Sequence, residues 1–250
     1  MIAALTLATH DIHLWISFER TPDEPALRPL RPLLQPAELE RVDKGYSEEV
    51  RLRFLAARAM QRTVLARYAP GVDPASLRFV TGEHGKPALA AEFAPLGLHF
   101  NVTHTEGLVG IAVSRHRDVG FDAENLFERT TALKLARRYF TAEESRNLEA
   151  LPLTEQPARF YSLWTLKESW MKATGRGIAA GLDNAAFSLD DKHRVVGLDF
   201  AAYDASDWRF WQFNPTHEHV LALALRAPGA TRDVTVSTFE WRPGEMANPL

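Results

Sequence analysis

Two stretches of this chain hold residues whose types and spacing could do chemistry. Residues 164–177 read Trp-Thr-Leu-Lys-Glu-Ser-Trp-Met-Lys-Ala-Thr-Gly-Arg-Gly, which places Lys167, Glu168 and Lys172 on a predicted helix that stops at Gly175. Earlier, Val119-Gly120-Phe121-Asp122-Ala123-Glu124 reads as a strand. Asp122 and Glu124, two apart, then point to one face of it. Three carboxylates and several cations on two rigid elements are the ingredients for Mg2+ and a phosphorylated ligand.

Each of these residues also has an ordinary explanation. An Asp-x-Glu pair can be the polar face of an edge strand. Glu168 and Lys172, four apart, can be an exposed helix pair worth only ~0.3–0.5 kcal/mol. Trp164, one turn before Glu168, can be a core edge or a pocket wall. Arg58 and Arg62, with Arg51 nearby, share a helix stripe that is either a solvated basic face or an anion-binding rim. Thr103 and His104 end a strand, and Lys86 sits in the Gly85-Lys86-Pro87 turn. Two further patterns carry nothing. Gly175, Gly177 and Gly181 lack dinucleotide-fingerprint spacing and follow a helix rather than a strand. His217-Glu218-His219 lacks the spacing of a helical zinc site.

The elements that must hold these residues can be read from pattern. Ile12–Phe18 has a strand pattern, and Thr21–Pro36, rich in proline, reads as a loop. A long helix is expected from Ser47 to about Tyr68, stopped by Pro70-Gly71. Leu77–Val80 is a strand, and Leu98–Val102 with Leu108–Val113 is a hairpin turning at Thr105-Glu106-Gly107. Thr131–Tyr139 and Ala142–Leu151 read as helices, and Ala158–Thr174 as the second long one. Five strands follow, and the tail from Arg242 reads as loose. Successive strands of this kind imply an α+β fold with antiparallel sheets. The order of elements occurs twice, which suggests two similar halves, 1–116 and 117–250, each an antiparallel sheet on a long helix. The second half carries the three carboxylates.

Bulk properties exclude several classes. The 250 residues are 46% hydrophobic, enough for a real core. A net charge of −3 gives no reason to expect a nucleic-acid partner. With no cysteine, disulfides and thiolate metal sites are excluded, which suits a cytoplasmic protein. Met1–His13 lacks the charged start of a signal peptide, and no apolar run is long enough to span a bilayer, so no membrane is expected.

Taken in order, Gly85-Lys86-Pro87, Phe100–Thr105, Val119–Glu124, Arg138–Glu144, Trp164–Ser169, Lys172 and Gly175 to Gly177 resemble the Sfp-like 4'-phosphopantetheinyl transferases. The likeness spans roughly residues 36–190. It implies a monomeric pseudo-twofold pair of α+β halves with coenzyme A and Mg2+ in the cleft between them. It implies Mg2+-dependent transfer of the phosphopantetheine arm from coenzyme A to a serine of an apo acyl or peptidyl carrier protein. Adenosine 3',5'-bisphosphate would be released. Asp122, Glu124 and Glu168 match the family's metal carboxylates, and Glu168 or a water it holds matches the base. Lys172 matches a lysine near the pyrophosphate. His104, Thr103, Lys86, Arg62 and Lys167 match coenzyme A contacts. Arg41 sits where some members bind the 3'-phosphate, and Glu38 stands where a second basic residue occurs in that segment. The resemblance thus makes Glu168, Lys172 and Asp122 the catalytic set. Two other activities share these ingredients: coenzyme A or carrier binding without catalysis, and a Mg2+-dependent nucleotide phosphatase or kinase. The intact acidic and lysine set argues against the first, and the lack of a phosphate-loop motif against the second.

Overall fold

The computed structural model describes residues 4–18, 24–44, 47–115, 117–127, 132–177, 181–229, 234–243 and 248–249. The chain divides into two compact units. The first contains Met1–Gly82, Pro87–His116 and Arg232–Leu250, and the second Glu83–Lys86 and Arg117–Thr231. Each unit joins sheets to helices, as an α+β chain should.

In the first unit, β1 (Asp11–Ser17) lies inside a five-stranded sheet with β4 (Leu98–Thr105), β5 (Leu108–Arg115), β11 (Thr235–Glu240) and β12 (Asn248–Pro249). The order is β12-β11-β1-β5-β4. The expected β4–β5 hairpin is present, with Gly107 supplying a φ of 79° at its turn. The sheet is not purely antiparallel, because β11 runs parallel to β1, from Asp11 opposite Thr235 to Ile16 opposite Glu240. That pairing also returns the end of the chain to the first unit, whereas pattern alone had grouped 117–250. Asn248 and Pro249, in the tail expected to be loose, pair with β11.

Helix α3 (Glu48–Ala66) packs on this sheet. Ser47 caps it by accepting from the Val50 N–H at 3.3 Å, and Glu48 and Glu49 complement the positive end. Its buried face carries Leu52, Leu55, Ala59, Met60 and Val64 at helical spacing. The proline-rich segment is more ordered than a loop. Its described part forms α1 (Glu24–Leu27), a 3-10 stretch Arg28–Leu33 and the start of α2 (Pro36–Asp43). Proline tolerates the first turn of a helix, where its missing N–H costs nothing, so the same residues that suggest a loop can begin a helix. A short hairpin, β2 (Phe79–Thr81) with β3 (Pro87–Leu89), completes this unit.

In the second unit, β6 (Val119–Asn125), β10 (His219–Arg226) and β9 (Trp208–Phe213) form an antiparallel sheet in the order β6-β10-β9. A separate hairpin joins β7 (Ala185–Leu189) and β8 (Val195–Phe200). The helices are α4 (Ala132–Tyr139), α5 (Ala142–Glu149) and α6 (Gln156–Thr174). Helix α6 begins with Pro157 in its first turn and ends at Gly175, whose φ of 67° is the left-handed stop that glycine favours. Phe160, Leu163, Leu166 and Trp170 anchor it in an aromatic core with Phe140, Phe187, Phe200 and Trp208. No helix among the described residues is long and apolar enough to cross a membrane.

Candidate active site

The acidic strand and the long helix of the second unit meet at a glycine. An added Cβ on Gly120 would stand 1.9 Å from the Ser169 carbonyl oxygen and 2.4 Å from the Ala173 backbone nitrogen. Only a residue without a side chain lets α6 lie this close to β6. Strand alternation then turns Asp122 and Glu124, like Gly120, toward the helix.

That contact brings the sequence-predicted residues together. Lys172 donates to Asp122 Oδ1 at 2.5 Å and to the Phe121 carbonyl at 3.2 Å. Burial, and then the neighbouring Asp122 carboxylate, push the Glu168 carboxyl up to about 7, while Lys172 opposes the shift. Glu124 Oε1 accepts from Trp164 Nε1 at 3.1 Å, so Trp164 is a wall that orients a carboxylate. Its ring packs on Phe160 and meets Tyr139 edge-on. The strand face is closed over at Asp122, which is 4% exposed. The three carboxylates are not a ready metal cage either, for no group of three acidic or His side chains among the described residues forms one.

Other expected ligand contacts lie elsewhere. Lys86 donates to the Ala173 carbonyl at 2.9 Å and the Val119 carbonyl at 3.3 Å, which binds its turn to the end of α6 and the start of β6. Burial lowers its ammonium pKa, and Asp118 acts against that. Lys167 is fully buried and turned away from the carboxylates, paired with Glu144 at 2.7 Å. It has no exposed surface to offer a ligand. Arg62 is likewise interior, at 1% exposure, donating to Glu38 Oε2 and to the Leu77 carbonyl, both at 2.6 Å. Glu38 also closes a capping box by accepting from the Gln35 N–H at 2.9 Å. Glu38, standing where the resemblance has a second basic residue, is therefore the partner of a buried arginine.

The first unit holds a cavity of about 520 Å³ lined by Arg41, Lys44, Arg51, Arg53, Phe54 and His104 together with Glu40, Ala37 and Val50. Four cations thus face one carboxylate there. Arg41 and Arg58 place their guanidinium carbons 4.7 and 5.1 Å from the centre of the Phe54 ring. Two predicted ligand residues, Arg41 and His104, line this one cavity, whereas Thr103 beside them is buried. Lys44, Arg53 and Phe54 were missed from sequence. Of the Arg51, Arg58 and Arg62 stripe, read as a solvated face or an anion-binding rim, Arg51 lines this cavity and Arg62 is buried.

Comparison with known proteins decides the family. Residues 118–224 match the family model of the 4'-phosphopantetheinyl transferase superfamily. The chain is 39% identical over 242 residues to the 4'-phosphopantetheinyl transferase HetI of Nostoc sp., covering 96% of this chain and 93% of that one. This chain belongs to the 4'-phosphopantetheinyl transferase family. A 4'-phosphopantetheinyl transferase of Bacillus subtilis is 30% identical over 80% of this chain and 86% of its own. The transferase Sfp of Bacillus subtilis strain 168 is 27% identical over 83% and 88%. The matched segment of this transferase contains β6 and α6, the two elements that carry Asp122, Glu124, Glu168 and Lys172.

Proposed function

We propose that this transferase moves the 4'-phosphopantetheine arm of coenzyme A to a serine of an apo acyl or peptidyl carrier protein, in a Mg2+-dependent reaction that releases adenosine 3',5'-bisphosphate. The observation that carries the reading is the cluster of Asp122, Glu168 and Lys172 pressed together at the Gly120 contact. Membership of the family supports the reaction class. The halves expected from sequence belong to this proposal.

Magnesium fits the donor set. Two partly buried carboxylates raise each other's energy, and a hard cation with one or two carboxylates, completed by water and phosphate oxygens, relieves that repulsion. Asp122 and Glu168 would hold it, with Glu124 adjoining. When bound, the ion supplies charge stabilisation on the pyrophosphate.

The remaining work falls to side chains of the chain. Glu168, or a water it holds, is the acceptor for the serine proton. Lys172 sits one helical turn beyond Glu168, beside Asp122, where it would meet the pyrophosphate. It stabilises the charge that grows on the leaving bisphosphate as the bond to the β-phosphorus breaks. Arg41 and His104, with the cations around Phe54, hold the phosphates and adenine of coenzyme A, and Lys86 adds a further contact. The chemistry is compatible with a cytoplasmic monomer acting on a soluble carrier.

Incubation with fluorescently tagged coenzyme A, Mg2+ and an apo carrier domain tests the reading. Label is expected on the carrier serine. Binding of coenzyme A without labelling would mean a non-catalytic binder, and hydrolysis without labelling a phosphatase.

A further inference from the structure

Phe140-Thr141-Ala142-Glu143-Glu144 recurs in the resemblance yet has no part in the proposed chemistry, and Lys167 is enclosed in the interior. The structure joins these two loose ends. Glu144 and Lys167 pair at 2.7 Å with side chains 6% and 0% exposed. The Lys167 ammonium also donates to the Leu182 carbonyl at 3.0 Å and to the Ala185 carbonyl. Three N–H groups thus meet three acceptors, and no donor is left over. Glu144 is equally committed. Its Oε2 accepts from the Thr141 N–H at 2.8 Å and its Oε1 from the Phe187 N–H at 2.9 Å. The rings of Phe140 and Phe187 lie 5.2 and 5.9 Å from the ammonium.

We propose that the Glu144–Lys167 pair is a positioning device that locks the rotation and height of α6, so that Glu168 and Lys172 meet Asp122 on β6. The pair ties the capped start of α5, the middle of α6 and the strand β7 into one buried node. Lys167 and Glu168 are consecutive, about 100° apart around the helix, so any turn that relaxes one swings the other. Apolar packing is non-directional and tolerates small sliding, whereas a saturated ammonium with three fixed acceptors does not. A buried ion pair often contributes no more stability than apolar residues of the same volume, so its value here is geometric. Lys167 acts through Glu168 and touches no reacting atom.

The inference rests on the proposed transfer reaction, and the test separates the two. Full-length Lys167→Met/Glu144→Gln removes both charges and keeps an amide acceptor for Phe187. Lys167→Arg and Glu144→Asp are milder variants that keep the charges and alter the geometry. Each is checked for cooperative unfolding. Coenzyme A affinity without Mg2+ and Mg2+ affinity with coenzyme A are then measured by calorimetry, and kcat with a carrier domain. Positioning predicts coenzyme A affinity within about twofold of wild type, weaker Mg2+ binding, and kcat lower by about tenfold to a hundredfold. A loss of coenzyme A affinity as large as the loss of kcat would make Lys167 a ligand contact and overturn the proposal. Unchanged kcat and Mg2+ affinity in variants that fold would reduce the pair to a structural one and overturn it too. If the double variant does not fold, the two milder variants decide by the same measures. A wild-type protein that labels no carrier would remove the proposed function itself, whatever the variants do.

Discussion

At the scale of single residues, the side chain with the sharpest consequence is Lys172. It already lies 2.5 Å from Asp122 on the element that also carries Glu168. In the proposed transfer, charge on the leaving bisphosphate grows as the bond breaks, so an ammonium placed there would lower the barrier more than it improves binding. Lys172→Ala is expected to cut kcat by about tenfold or more while coenzyme A affinity changes far less. Lys172→Arg should restore part of the rate, because a planar guanidinium is a poor copy of a compact charge. Separate measurement of kcat and the coenzyme A dissociation constant checks this, and weakened binding at an unchanged kcat would make Lys172 a ligand clamp. Residue types and spacing made Asp122, Glu124, Glu168 and Lys172 legible, since alternation along a strand and a four-residue step along a helix are local rules. Lys167 and Arg62, expected at the ligand, are buried in ion pairs that no local rule announces. Their partners, Glu144 and Glu38, lie 23 and 24 positions away and are chosen by tertiary packing.

At the scale of elements, the active geometry depends on how closely α6 approaches β6. The atoms that a Gly120 Cβ would strike are backbone atoms of Ser169 and Ala173, which cannot rotate aside. Gly120→Ala should therefore cost about 1–3 kcal/mol of stability as an overpacked contact. It should also reduce transfer by up to about a hundredfold, because the carboxylates and Lys172 are displaced together. Trimming side chains on the helix, as in Ser169→Gly, should not rescue it. Thermal unfolding and kcat on the single and double variants provide the check, and a stable, fully active Gly120→Ala would show that the helix can ride outward without harm. The two long helices were legible through caps, apolar spacing and stop signals at Ser47, Pro70-Gly71 and Gly175. Strands were legible as short apolar and β-branched runs between turn signals, β5 and β10 being buried along nearly their whole length. The segment before Pro36 was not, since proline marks both loops and helix starts and only packing separates them.

At the scale of the whole molecule, the first unit depends on a polar node and on the last strand. Trp15 Nε1 can only donate, and it does so to the Tyr68 hydroxyl at 2.8 Å. That hydroxyl in turn pairs with His13 Nδ1 at 2.8 Å. Burial lowers the His13 pKa below 6.5, against the pull of Asp11. A group whose protonated form is disfavoured in the folded state contributes stability above its unfolded pKa and loses it as pH falls. The unfolding midpoint should thus drop below about pH 6.5. His13→Gln should flatten that slope, and an unchanged slope would place the effect in other groups. The strand β11 closes the same region. Phe239 stacks on Trp15 with ring centres 4.7 Å apart, and Trp241 Nε1 donates to Thr63 Oγ1 on α3 at 3.0 Å. Sequence pattern assigned this strand to the second half because parallel pairing joins residues more than two hundred positions apart, as Asp11 with Thr235, and leaves no local trace. Deleting residues 234–250 should cost the first unit about 3–5 kcal/mol, on the scale of losing a buried aromatic side chain. It also bares the edge of β1 and invites association between chains. The cationic cavity around Arg41 belongs to that unit, so the truncated chain should lose coenzyme A affinity along with its first unfolding transition. Calorimetric unfolding and coenzyme A titration of the truncated chain test both, and a monomeric truncation with wild-type affinity would show that the sheet holds without its last strands.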